Sequence, residues 1–308
     1  MNKFIRNLVA VGAILTVFSG CSFSAPNPEK DGDKIVKEGL KNFYDVNISS
    51  GDGTLTGKIV DKAAKDLSVD LAFSGSGDMR DPENLLLNFK FDGTGMMDGQ
   101  GENISAEVKV DKSDLYFIVS KLSSFGGLVP ADMVKPMLGQ WWKTQVPQDM
   151  IDSLQDSALV GDDSKLTSEE KKMKNLLKDT QFFSGAKYIG EENGDYHYET
   201  VLDKEAIKTF VKESGEIYEE PVSEADLKTL DDNLKGVQLK ADFWVGVADK
   251  TVHKFKFDFE ATDPVAGAKV DGVLTISIGD INKPVIVEPP KDAKEFDPVS
   301  LFGGGLKG

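Results

Sequence analysis

The chain has 308 residues, 40% of them hydrophobic, and a formal net charge of -16 at pH 7. That much apolar material argues against a disordered chain. The acidic balance argues against nucleic-acid binding, which needs a basic surface, and against adsorption to anionic headgroups by charge alone. One cysteine and two histidines rule out an internal disulfide framework and a cysteine-rich metal site, and they leave little room for histidine catalysis.

The N-terminus reads as an address. Lys3 and Arg6 form a short positive segment, and residues 8–18 form an apolar one. The apolar segment is shorter than the about 20 residues a membrane span needs. Phe18-Ser19-Gly20-Cys21 closes it and resembles a bacterial lipobox, with Phe18 where Leu is usual. The resemblance implies removal of residues 1–20 as a lipoprotein signal peptide. It also implies lipidation of Cys21 with acyl chains such as palmitate, since several chains anchor stably where one does not. The protein would then sit on the bacterial cell membrane or outer envelope, facing away from the cytoplasm. Residues 21–32, with Pro26 and Pro28, read as a tether.

Past the tether, Ile35, Val36, Leu40, Phe43 and Tyr44 recur at helical spacing and predict a helix over 33–44, with Gly39 its weak point. Strands follow at Leu55/Ile59, 67–73, 85–91, 104–110 and 115–119, each alternating apolar with polar or small residues. Strands so spaced, with no helices between them, predict an antiparallel sheet. The middle of the chain changes character. Short helices are expected at 130–138 and 147–159, with a strand at 140–144. Thr167 with Glu170 marks a capping-box helix start. Strands at 181–189 and 196–202 lead to a helix capped by Asp203 and another beginning at Ser223. Two adjacent tryptophans in a strand, Trp141 and Trp142, point to opposite faces, so one is expected inside and one outside.

The run 237–290 organises the rest. Val237, Leu239, Ala241, Phe243 and Val245 form one alternating strand. His253, Phe255, Phe257 and Phe259 form a second, and Val270, Leu274, Ile276 and Ile278 a third. The first two are joined by a short hairpin at 248–250. The expectation is a single α+β domain over 33–290. It would be a curved antiparallel half-barrel sheet, with helices from 130–180 and 203–235 covering its concave apolar face. Residues 291–308, with Gly303-Gly304-Gly305, read as a flexible tail.

Reaction chemistry is sparse. Asn27 to Glu38 mimics a calcium loop in spacing, but Lys34 replaces the apolar eighth residue. His197 and His253 lack a companion cluster of metal spacing. No nucleophile elbow or phosphate-cradling loop is present in the sequence. The protein is expected to be no enzyme, with no catalytic residue, cofactor or metal.

Four stretches together resemble the LolA/LppX-like bacterial lipoprotein superfamily, of which the LppX/LprG-type lipid-carrying lipoproteins are a branch. They are Gly139-Gln140-Trp141-Trp142-Lys143, Tyr188-Ile189-Gly190-Glu191-Glu192, Tyr196-His197-Tyr198 leading into Leu202-Asp203-Lys204-Glu205-Ala206, and the run from Ile281-Asn282-Lys283-Pro284 to Glu288-Pro289-Pro290. The likeness lies in the order of elements and in short diffuse motifs. It implies an unclosed half-barrel whose apolar face, under helices, accepts a lipid or other hydrophobic ligand. The candidate cavity-lining residues are Trp142, Phe243, Phe255, Phe257 and Phe259. Two readings stay open at this point: a monomeric lipid carrier, and a structural or interaction lipoprotein with a filled core and no cargo.

Overall fold

The computed structural model describes residues 27–44, 46, 48–60, 67–78, 81, 84–97, 100–123, 135–147, 166–262 and 268–296. The signal segment, Cys21 and most of the tether lie outside the described residues. So do nearly all of the helix expected at 147–159 and the chain beyond 296.

In chain order the elements are α1 (Gly32–Phe43), β1 (Ser50–Val60), β2 (Leu67–Asp78), β3 (Leu86–Met97), β4 (Gln100–Asp111), β5 (Asp114–Leu122), β6 (Trp142–Gln145) and α2 (Ser168–Asp179). They continue as β7 (Phe183–Glu192), β8 (Asp195–Leu202), α3 (Lys204–Ile217), α4 (Glu224–Lys235), β9 (Val237–Gly246), β10 (Val252–Thr262), β11 (Lys269–Ile278) and β12 (Lys294–Glu295). A single 3₁₀ turn, Lys135–Met137, stands where part of the helix at 130–138 was expected. The chain divides into two compact units, Met1–Val46 with Ser157–Ala261 and Asn47–Asp156 with Thr262–Gly308. The first holds all four α-helices found among the described residues and is called the helical unit; the second is called the meander unit.

The helix starts follow from local chemistry. Thr167 and Glu170 close the predicted capping box on α2, and the Asp203 side chain accepts from the backbone N–H groups of Glu205 and Ala206. Ser223 and Asp226 form a second capping box on α4. Each cap satisfies N–H groups that have no partner inside the helix. Packing then fixes where the helices lie. Leu177 of α2, Phe182, Ile207 of α3, and Leu230 and Leu234 of α4 form one buried cluster, with Phe183 and Leu202 against it.

In the helical unit the strand order is β10-β9-β8-β7, all antiparallel. The β7–β8 turn carries Asn193 at φ 55° and Gly194 at φ 86°. Two successive left-handed residues match the twist of a tight hairpin, and Asn-Gly tolerates them. β7 carries two irregularities in its pairing, between Ser184 and Lys187 and between Tyr188 and Gly190. The backbone N–H of Ala186 donates to Asp33 Oδ1 of α1 at 2.7 Å. A strand broken by bulges and bonded to a side chain makes a poor template for further pairing.

In the meander unit β1 to β6 pair with their neighbours in sequence, all antiparallel. β11 pairs with β1 from Gly51↔Ile278 to Val60↔Lys269, a partner that strand alternation alone did not name. Residues 282–293 form no strand, and β12 then pairs parallel with β6 at Lys294↔Trp142 and Glu295↔Lys143. Ordered structure therefore continues to Phe296, past the point where the sequence places the start of a flexible tail. Leu85, Val110 and Val146 form this unit's buried cluster, with Leu87 and Leu115 against it.

The assignment of covering helices needs one addition, α1. On sequence alone that role falls to segments at 130–180 and 203–235. In the helical unit, α1 packs on β7 and β9, and α4 also packs on β9, while α2 and α3 pack on each other and α3 on α4, with Phe183 of β7 and Leu202 of β8 against their cluster. Gly39 is the reason α1 fits. A Cβ there would lie 2.8 Å from Val245 Cγ1, and one at Gly32 would lie 2.6 Å from the Ala186 carbonyl oxygen. Seven residues are about two helical turns, so both glycines share the face that meets the sheet. What reads in sequence as a weak point is a contact surface.

Candidate functional site

Four of the five proposed lining residues meet in the helical unit. Phe243 of β9 lies opposite Phe255 of β10, Ala241 opposite Phe257, and Leu239 opposite Phe259. Phe183 of β7 joins them, its ring 5.0 Å from Phe243 and 5.8 Å from Phe257. Phe43, the last residue of α1, meets Phe255 edge to face at 6.3 Å. Edge-to-face and offset rings attract beyond their buried area. The result is graded. Phe43, Phe243 and Phe255 are 0%, 1% and 5% exposed, packed against the protein's own rings. Phe257 and Phe259, further along β10, are only half-buried.

Tyr188, Tyr196 and Tyr198 extend the same face, with ring centroids 5.6 to 6.5 Å apart. Tyr198 is fully buried, and its hydroxyl donates to the Pro28 carbonyl at 3.2 Å. Burial pushes that phenol far above its ordinary pKa. Pro28 belongs to the stretch read as tether, and this bond ties it to the sheet.

The opposite face of the helical unit is polar. Trp244 stands between His197, stacked at 4.1 Å, and the Lys254 ammonium, 4.2 Å from the ring centroid. Both are its cross-strand partners. Its indole N–H donates to Glu192 at 3.0 Å, and that bond holds the Glu192 carboxyl below its usual pKa. His197 Nε2 is 2.8 Å from Asp242 Oδ1, while Nδ1 stands 3.5 Å from Glu192 without a hydrogen bond. Among the described residues no group of three or more His, Cys, Asp or Glu is arranged to hold a metal ion.

Trp142, the fifth candidate, belongs to the meander unit. It is 8% exposed, its indole N–H donates to the Met137 carbonyl, and its ring meets Phe296 at 6.0 Å. Phe296 also meets Phe117 at 5.1 Å. Trp141 is half-buried under the Lys109 ammonium, so the two tryptophans divide between an inner and an outer position.

The meander unit also carries a face that sequence reasoning did not single out. Rungs across β11, β1, β2, β3 and β4 read Leu274, Leu55, Leu71, Gly93, Ile104 and Ile276, Gly53, Phe73, Phe91, Ala106. Large residues lean over neighbouring glycines. A Cβ on Gly53 would lie 2.4 Å from Phe73 Cζ, and one on Gly75 would lie 3.1 Å from Phe89. Phe73 and Phe89 stack at 6.0 Å. Yet Leu55, Leu71, Phe73, Phe89, Phe91 and Ile276 are all only half-buried, and Ile59, Leu67 and Val69 are 37–39% exposed. The signal was present in the alternation at 67–73 and 85–91.

The other side of this sheet bears two hollows of about 400 and 360 Å³. One is lined by Ser50, Asp52, Ser74, Asn88, Lys90 and Glu107, the other by Thr54, Thr56, Asp70, Asp92, Thr94 and Lys121. The first is lined by polar side chains and glycines, while the second also has Leu71, Ala72 and Ile104 in its lining. Asp92, its carboxyl held below the usual range by Ser105 and Lys90, pairs with Lys90 at 3.7 Å.

No family model matches the chain, and no curated protein matches it. Among solved structures, the chain is similar to a beta-barrel-like protein of the domain of unknown function DUF1849 from Brucella abortus. The identity there is 11% and the TM-score 0.25, with 76% of this chain and all of that one covered. It is also similar to a LolA superfamily protein from Nitrosomonas europaea, at 9% identity and a TM-score of 0.17, covering 87% of this chain and 96% of that one.

Proposed function

We propose that this protein is a lipid-anchored envelope lipoprotein that binds an amphiphile, without catalysing a reaction, on the apolar face of the meander unit. The observation that carries this reading is the incomplete burial of Leu55, Leu71, Phe73, Phe89, Phe91 and Ile276 along one face. A continuous half-buried apolar face marks a place for a ligand or partner. Each methylene of an acyl chain laid there is worth about 0.8 kcal/mol. In this reading the strands form the concave wall of a half-barrel and Cys21 holds the protein at the membrane surface outside the cytoplasm. Phe243 and Phe255 supply rigidity within the helical unit. The cargo is a lipid or similar amphiphile; no nucleic acid, metal or cofactor is involved, and the protein acts as a monomer.

A second reading, a structural or interaction lipoprotein without cargo, is favoured by one feature: the rings of Phe43, Phe183, Phe243 and Phe255 fill the helical unit's face. One experiment separates the two. The Cys21→Ala chain is purified without detergent, extracted with organic solvent and its lipids identified by mass spectrometry, and a fluorescent fatty-acid probe is titrated into the stripped protein. Co-purified amphiphile, with probe binding lost in Phe73→Asp but kept in Phe259→Asp, supports binding on the meander unit. A clean protein that takes up no probe returns the assignment to the structural reading.

A further inference from the structure

His253 is the second residue of β10, and its side chain is one-third exposed. Its Nδ1 is 2.8 Å from Asp195 Oδ1 and its Nε2 is 2.8 Å from Asp249 Oδ2. Asp195 opens β8 just after the Asn193-Gly194 turn, and Asp249 lies in the β9–β10 turn. Both ring nitrogens thus face carboxylates, and only the doubly protonated ring donates to both. These are the charged groups that face the ring. The nearby Lys250 ammonium is directed at the Val247 carbonyl and the Tyr196 ring.

The surroundings are shaped to this contact. A Cβ on Gly246 would meet Asp249 Oδ1 and lie 2.7 Å from His253 Cε1, so only glycine lets carboxylate and imidazole close over β9. Asp249 Oδ1, the oxygen not bonded to the imidazole, accepts from the Thr251 N–H at 3.1 Å. The two turns are also joined directly, by the Val247 N–H donating to the Gly194 carbonyl at 3.0 Å. The second turn reaches the helix: the Asn42 side-chain amide of α1 donates to the Lys250 carbonyl at 2.9 Å.

We propose that His253 is a proton-operated latch, joining the β7–β8 turn to the β9–β10 turn as an imidazolium and, through Lys250, holding the C-terminal end of α1. When the ring loses a proton, one nitrogen presents a lone pair to a carboxylate oxygen and an attraction becomes a repulsion. Burial opposes the charge, but the two carboxylates outweigh it, and the ring's pKa stands above the ordinary histidine value. The raised pKa fixes the sign. The stabilisation is fully present below the unfolded-state pKa of about 6.5 and is lost as pH rises through the higher folded-state value. The latch is closed in acid and opens as the pH rises through the raised pKa of His253. It operates whatever either apolar face binds.

The test uses NMR on the full chain: the His253 ring signals are titrated, and amide exchange of Val247 is corrected for its intrinsic base catalysis. His253 is expected to titrate above 6.5. Val247 protection should fall about tenfold across that titration, the scale of one charge-assisted hydrogen bond. The step should vanish in His253→Gln and shrink in Asp195→Asn, which keeps a neutral acceptor in place. Should His253→Gln fail to fold, Asp195→Asn carries the decision. A His253 that titrates at or below 6.5 overturns the proposal, and so does a protection step that persists unchanged in either variant.

Discussion

The apolar faces of the two units start from the same sequence pattern and end differently. Alternation places Phe243, Phe255 and Phe257 on one sheet face in the helical unit and Phe73, Phe89 and Phe91 on one in the meander unit. In the first, α1 lies on the strands, and Phe43, Phe243 and Phe255 fall to 5% exposure or below. In the second, glycines alternate with the rings, the rings lean on the glycines, and none of the three is fully buried. Alternation reports which side of a strand is apolar. It does not report how much of that side is covered, because that depends on an element elsewhere in the chain.

The largest effect expected from this difference is on stability. Phe43→Ala empties a fully enclosed site and should cost about 3–5 kcal/mol, while Phe73→Ala, on the half-open face, should cost under half as much. Equilibrium urea denaturation of both variants measures this, and equal losses would show that the meander face is as closed as the helical one. Next comes Gly53→Ala. Its Cβ would overlap Phe73 and the Thr275 carbonyl, so the ring must leave its place; about 1–3 kcal/mol is expected. A neutral result in the same denaturation experiment would mean the rings of that face move freely. The smallest effect belongs to the helical layer: Asp203→Ala removes the side-chain cap on two N–H groups of α3, for about 1 kcal/mol. Its melting curve should shift by a few degrees with unchanged amphiphile binding.

Several features were legible because they are local. Thr167 and Glu170, three residues apart, close a capping box in any context that lets a helix begin. Asp203 caps α3 for the same reason, and the strand positions from 55 to 119 follow from their period of two. The covering role of α1 was not legible. Its amphipathic pattern says that Ile35, Val36 and Phe43 need a partner, but Val245 and Phe255 lie two hundred residues further along the chain. Gly39 looked like a flaw until Val245 stood against it. The carboxylate pairing of His253 was equally hidden, since Asp195 and Asp249 are two acids among the 52 Asp and Glu and only hairpin geometry brings them to one ring.

By itself, the sequence determined the strands, the helix starts and the apolar sides, all set by neighbours within a few residues. Tertiary structure alone decided that β11 pairs with β1, that α1 closes over Phe43 and Phe255, and that the face around Phe73 and Phe91 stays half-open. Those outcomes depend on contacts between distant segments, where burial of apolar surface outweighs the entropy of closing long loops.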